Sequence, residues 1–315
     1  MANPNRDLFD SQVKRRIELE RLSRSEARKL YRFLSEVQKD IIGKMANMRE
    51  RGLSKATIRQ QQRLLDSVNE IHASVYARLR DELNTGFRRL ARDQAAFEAG
   101  ALTSTGVVGS VGTLTARQAI AAFRSRPLED LGFLQKMVSQ LEPSQKARIT
   151  NALQTSFIQG ESVGRAAIRI RGAVAKSRRG LLAFIRTANT HIAASVQQAT
   201  YEANADLIEE VEWRSILDTR TTKICASRDG NVYPADKGPR PPAHFACRSV
   251  VSPLLKGFER PERETYPKWL KRQNAATQKD ILGAERFRLY RDDGFEIDDF
   301  VDFKGRTIPL DELTR

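Results

Sequence analysis

Cysteine is nearly absent from this chain, with two in 315 residues. Two thiols cannot build the disulfide framework of small secreted domains, so the fold must rest on a hydrophobic core. Aromatic residues are also scarce, at 7%. No apolar run reaches the roughly 18 residues that a membrane span needs. The opening stretch, MANPNRDLFDSQVKRR, has neither an apolar core nor a cleavage site, so it does not read as a secretory signal. These absences point to a protein made and used in a reducing cytoplasm, or enclosed in something assembled there.

Basic charge is abundant. Lys+Arg number 54 against 39 Asp+Glu, for a formal charge of +15 and a pI near 10.1. That balance favours acidic partners: nucleic acid, an acidic protein surface or an anionic membrane. The mean hydropathy of −0.51 points to a helical protein with much solvated surface. The length suggests two or three domains.

Residues 1–99 read as a long helical hairpin. Ser23 and Glu26 have the spacing of a capping box. After them Leu30, Phe33, Leu34, Val37, Ile41 and Met45 recur at three and four, so they share a helix face. Gly52 is placed to stop this helix and Ser54 to cap the next. Leu64, Leu65, Val68, Ile71, Val75, Leu79, Leu83, Phe87 and Leu90 then follow in a nearly heptad series. His72 lies beside that seam and reads as packed.

Residues 100–115, GALTSTGVVGSVGTLT, are small and uncharged and read as a flexible linker. Residues 116–206 read as a basic helical domain. Thr115 caps its first helix. A second runs from Leu128 to Leu141, and a third starts at Pro143-Ser144 and ends at Gly160. Ser162 caps the next, and a long helical run extends from about Lys176 to Asp206. Between Gly160 and Arg186 the one acid is Glu161, against Arg165, Arg169, Arg171, Lys176, Arg178, Arg179 and Arg186. Like charges on consecutive turns repel unless something acidic lies near. These seven are the candidate nucleic-acid contacts. Base-stacking aromatics are lacking, so any contact is to phosphates, without sequence preference. His191 reads as a packed or surface histidine.

Residues 207–256 form a different kind of segment. Both cysteines lie here, as do five prolines between Pro234 and Pro253. Val211–Leu217 has the alternation of a strand. Asp218–Thr222 reads as a turn in which Asp218 accepts backbone N–H groups. Asp229-Gly230 is a hairpin signal before a short strand, and Arg248–Val251 can close an antiparallel sheet.

Cys225, His244 and Cys247 bring two thiols and an imidazole into reach if the loop folds back. Asp218 or Asp229 is the candidate fourth ligand, and tetrahedral zinc suits such a set. Three other readings stand beside it. The cysteines can pack as small apolar residues, with His244 bonded to the turn. They can form a disulfide, which the compartment disfavours. Or Cys225, His244 and an Asp can serve as a nucleophile with its base, and Asp, His and Arg as a metal-assisted phosphodiesterase set. No cofactor is required by any motif.

Trp213, Asp218, Arg220, Thr221, Thr222, Cys225, Asp229 and Gly230, then Pro241, Pro242, His244, Cys247, Arg248 and Ser249, form a pattern that resembles phage minor head proteins. These are the head-morphogenesis proteins similar to protein F of phage Mu. The preceding IRTANTHIAASVQQATYEAN resembles the helix that family places before its tryptophan strand. The resemblance covers roughly residues 140–255. A tail pattern from Trp269 to Leu313 resembles that of some members. The resemblance implies a structural, non-enzymatic virion protein inside the head, made in the host cytoplasm. It implies assembly with the portal and with major capsid or scaffold proteins, contact with packaged DNA, and possible self-association and ejection with the DNA.

The fold expected is mainly α, with a small α+β C-terminal module and an extended tail over 257–315. The alternatives are a virion-carried metal-assisted nuclease or transferase, and a free-standing non-specific DNA-binding protein. The acidic tail (Asp292, Asp293, Glu296, Asp298, Asp299, Asp302) is expected to be a solvated face.

Overall fold

The computed structural model describes residues 3–46, 57–107, 110–128, 134–302 and 305–314. It is mainly helical, with one small antiparallel sheet in its C-terminal part, as the sequence implies. The order is α1 (Pro4–Ala46), α2 (Ile58–Ser104), α3 (Ala116–Ser125), α4 (Leu134–Ser139), α5 (Leu141–Ile158), α6 (Val163–Glu202), β1 (Ile208–Arg214), α7 (Lys223–Arg228), β2 (Val232–Pro234) and β3 (Val250–Leu255). Four more helices follow: α8 (Tyr266–Lys271), α9 (Ala275–Leu282), α10 (Ala284–Asp292) and α11 (Leu310–Leu313). No helix among the described residues is long and apolar enough to cross a membrane.

The chain forms two compact units that interleave in sequence. A helical unit comprises Glu20–Leu90 and Asp130–Asn189; a sheet unit comprises Met1–Leu19, Ala91–Glu129 and Thr190–Arg315. The long helices α1, α2 and α6 each contribute residues to both, so neither unit is one continuous segment.

In the helical unit the apolar series of α1, from Leu30 through Phe33, Leu34, Val37 and Ile41 to Met45, is buried throughout. On α2, Leu64, Val68, Val75, Leu79, Leu83, Phe87 and Leu90 are buried too. Glu36 pairs with Arg78, and Arg32 with Glu82 at 3.8 Å. Moving up one helix moves down the other, so the two segments are antiparallel. Gly52 and Ser54, the expected stop and cap, lie outside the described residues. α6 joins this core through Ile170, Val174, Leu181, Phe184 and Ile185, and α5 through Ile149 and Leu153. His72 is buried and stacked on Tyr76, with 5.3 Å between ring centroids. Burial pulls its pKa down to about 4, so it packs as the neutral ring.

Local expectations fail where a side chain finds a distant partner. Ser23 and Glu26 are not a capping box; α1 runs through them without interruption. Both face Asn189, whose Nδ2 donates to Ser23 Oγ at 3.1 Å and to Glu26 Oε2 at 2.8 Å. The helix expected from Leu128 to Leu141 is described only as α4, and α5 begins two residues before Pro143. Proline is tolerated there because the first turn's N–H groups have no helical acceptor. Other signals hold. Thr115 and Gln118 form a capping box on α3, Gly160 ends α5 at φ 61°, and Ser162 Oγ accepts from Arg165 N at 3.3 Å.

The first five residues of the 100–115 stretch continue α2. Farther on, Gly112 exchanges two hydrogen bonds with Asn204, of 2.7 and 3.0 Å. A Cβ at Gly112 would lie 2.6 Å from the Ala203 carbonyl oxygen, so the close approach requires glycine.

The sheet order is β2-β1-β3, with both pairs antiparallel. The expected strand Val211–Leu217 starts earlier, at Ile208, and stops at Arg214. Ser215 N leaves the ladder because it donates to Asp229 Oδ1 at 2.6 Å. Leu8, Leu102, Tyr201, Val211, Trp213, Val251 and both cysteines share one core, and the C-terminal helices build a second around Tyr266, Leu270, Leu289 and Phe300. Asn5 ties the start of α1 to the sheet: its Oδ1 accepts from Leu255 N at 2.7 Å and its Nδ2 donates to Phe258 O at 3.2 Å.

Candidate functional site

The motif residues surround the sheet, and each is held for a separate reason. Gly230 sits at φ 92°, where a Cβ would lie 2.7 Å from Thr265 Cγ2, so this turn requires glycine. Trp213 is fully buried and donates from Nε1 to Ser215 Oγ at 3.0 Å; Arg228 lies over its ring at 5.2 Å. Pro242 is buried and follows Pro241 through a cis bond. Arg220 is largely exposed, 3.5 Å from Asp218.

Cys225 rides on α7, a six-residue helix inside the stretch expected to be a loop. So short a helix has little stability of its own and is fixed by packing. Ser215 Oγ donates to the Cys225 carbonyl at 2.6 Å and meets Ser249 Oγ at 3.0 Å. His244 and Cys247 close a turn in which Cys247 N donates to His244 O at 3.1 Å, with Ala246 at φ 57°. Arg16, on α1, donates to the Cys247 carbonyl at 2.9 Å.

Cys225, His244 and Cys247 thus come together as the spacing allowed. Sγ to Sγ is 3.7 Å, and Cys225 Sγ to His244 Nε2 is 3.2 Å. Both sulfurs are buried, and the imidazole is half-buried. The neighbouring Cys225 thiol holds the Cys247 thiol well below its ordinary range, with help from His244 and the Ser249 N–H, against the opposing effect of burial. Contact with Cys247, reinforced by burial, drives Cys225 up. Burial alone would push His244 down, yet the anionic Cys247 raises it. The pair favours one thiolate and one thiol.

The two aspartates do not join them. Asp218 accepts from both terminal nitrogens of Arg248 at 2.7 Å, and from Arg220 N at 3.0 Å. The Arg248 guanidinium holds its pKa at about 2 despite partial burial. Asp229 is buried and takes four donors: Ser215 N, Tyr266 N and both terminal nitrogens of Arg263. Arg263 Nε also bonds the fully buried Glu212 at 3.0 Å. Glu212, Arg263 and Arg16 were missed in the sequence. Only their place in or beside an apolar pattern marks them, and a charged residue there usually stands at the surface.

His191 is buried, with Nε2 3.1 Å from the Phe123 carbonyl, and burial pulls its pKa to about 4. Glu98 is an unexpected buried acid. Gln12, Gln94, Gln197 and Tyr201 all donate to it, yet burial raises its pKa to about 7.

The seven basic candidates all lie on α6, and they divide. Arg169 bonds Glu161 through Nε at 2.9 Å and Nη2 at 2.8 Å, and Arg186 pairs with Glu20. Arg178 donates to Ser35 Oγ at 2.6 Å and lies over the Tyr31 ring. Arg165, Arg171, Lys176 and Arg179 are exposed, and all but Arg171 lie on the side away from Ala166, Ile170, Val174 and Leu181. At about 100° per residue, Arg165, Lys176 and Arg179 fall within about 60° of one another around the helix.

No curated protein and no solved structure matches the chain. A family model described as "Phage Mu protein F like protein" matches residues 147–252, from within α5 to within β3. It contains all seven basic candidates and the Cys225, His244 and Cys247 cluster, and it stops short of the tail pattern. The chain therefore carries, over about a third of its length, a region similar to phage Mu protein F, consistent with a phage head-morphogenesis protein.

Proposed function

We propose that this chain is a structural minor head protein that docks on the portal inside the phage head and contacts packaged double-stranded DNA without sequence preference. The family match over 147–252 carries the reading. The exposed cations of α6 supply the DNA contact. Arg169 and Arg186 are committed to Glu161 and Glu20, so the contact falls to Arg165, Arg171, Lys176 and Arg179. Major capsid or scaffold proteins, and further copies of the chain, are the other partners this role calls for.

Two measurements test the reading. In the first, binding to duplex DNA of unrelated sequences is followed against salt. The dependence is steep, and changing Arg165, Lys176 and Arg179 to Gln lowers the log–log slope by about 2–3, at about 0.9 per phosphate contact. An unchanged slope sinks the DNA role. In the second, the chain is co-sedimented with the portal ring of its own phage. DNA binding without portal binding favours the free-standing DNA-binding protein instead.

A further inference from the structure

We propose that Cys225, His244 and Cys247 bind one zinc ion, as three protein ligands of a tetrahedral site whose fourth position is taken by solvent. This goes beyond the head-protein reading and does not rest on it.

The donor geometry is the first support. Zinc binds thiolate at about 2.3 Å and imidazole at about 2.0–2.1 Å; tetrahedral angles then separate two sulfurs by about 3.8 Å, and a sulfur from a nitrogen by about 3.5 Å. The two sulfurs here are 3.7 Å apart and Cys225 Sγ is 3.2 Å from His244 Nε2. All three donor atoms lie within 4.8 Å of one another. A few tenths of an ångström complete the arrangement.

The second support is the orientation of the imidazole. His244 Nδ1 is 2.9 Å from the Phe245 carbonyl, an acceptor, so Nδ1 carries the hydrogen. Nε2 is then the bare nitrogen, and it faces the sulfurs. A histidine whose other N–H is fixed on a carbonyl is the usual arrangement around a bound metal.

The third support is ligand chemistry. Two thiolates and an imidazole select a borderline-soft ion over magnesium, calcium or manganese. Asp218 and Asp229 are occupied by Arg248 and Arg263, so no carboxylate enters the set. Bound zinc would tie α7 directly to the turn before β3, adding to the bridge that Ser215 Oγ makes between Cys225 O and Ser249 Oγ.

The full-length chain, produced with zinc in the medium and purified without chelators, is analysed by elemental mass spectrometry. Its zinc is then exchanged for cobalt. The expected result is one zinc per chain, with cobalt giving thiolate charge-transfer absorption and the intense visible bands of a tetrahedral site. Cys247→Ser weakens zinc binding more than tenfold. His244→Cys keeps the metal and strengthens the charge-transfer band by about half, because three thiolates replace two. Circular dichroism checks that each variant is folded, and the wild-type cobalt spectrum stands even if a variant is not. Three results each overturn the proposal: wild-type protein that takes up neither ion, a Cys225–Cys247 disulfide in freshly isolated protein, or zinc content unchanged by Cys247→Ser.

Discussion

Around the sheet, Arg16, Arg248 and Arg263 each have a buried or half-buried acceptor: a carbonyl, or carboxylates held in both arms of the guanidinium. Along α6, Arg165, Arg171 and Arg179 are exposed, and their guanidinium groups have no hydrogen-bond partner among the described residues. The same side chain therefore does opposite work in the two regions. Near the sheet its charge is consumed by the fold. On α6 its charge remains available to an acidic partner.

Breaking the committed set gives the largest effect. Arg263→Leu removes the guanidinium shared by two buried carboxylates, leaving Glu212 to Arg260 and Arg214 and Asp229 to two backbone N–H groups. Denaturant unfolding should show a loss of about 3–5 kcal/mol. Arg263→Lys should recover little of it, because an ammonium cannot grip two carboxylates as a planar fork does.

Glu98 sharpens the contrast from the other side, as a buried acid with amide and phenol donors instead of a cation. Its folded pKa, about 7, lies above the ordinary value of 4.5. The fold thus favours its neutral form. Below about pH 4.5 it costs nothing; as pH rises towards 7, stability falls, by up to about 3 kcal/mol. Glu98→Gln should remove that slope and raise stability at neutral pH, as thermal unfolding across pH 4–8 will show.

Asp218 behaves the opposite way. Its pKa is depressed, so its pairing with Arg248 contributes fully above about pH 4 and is lost as pH falls towards 2. Asp218→Asn should cost about 1–2 kcal/mol at neutral pH, since the pair is partly exposed, with little further loss in acid. The smallest effect is expected on α6. Arg165→Gln, Lys176→Gln and Arg179→Gln together should shift stability by no more than about 0.5 kcal/mol while weakening DNA binding. If they unfold the protein instead, the division between the two regions is wrong.

What was legible in the sequence follows the same line. Helices whose apolar residues recur at three and four were readable from that spacing, as with Leu30–Met45. Gly230, Gly160 and the Thr115 cap were readable because a local backbone requirement dictates them. Ser23 was misread because Asn189, far along the chain, competes for its hydroxyl. The Cys225, His244 and Cys247 set was visible as residue types, but its convergence depends on α7 and on the Ala246 turn. Asp218 and Asp229 were assigned as possible fourth ligands because spacing cannot reveal that Arg248 and Arg263 reach them first.

The bonds from the start of α1 to the residues in and around β3 have a consequence in time. Arg16 and the Cys247 carbonyl are 231 positions apart. At about 5–20 residues per second, a ribosome takes about 10–50 s to travel between them. Through that interval Asn5, Leu8 and Arg16 wait without the strands they serve, and Leu8 stays open to any apolar surface nearby. The sheet unit can therefore be completed only once β3 has followed α1 out of the ribosome.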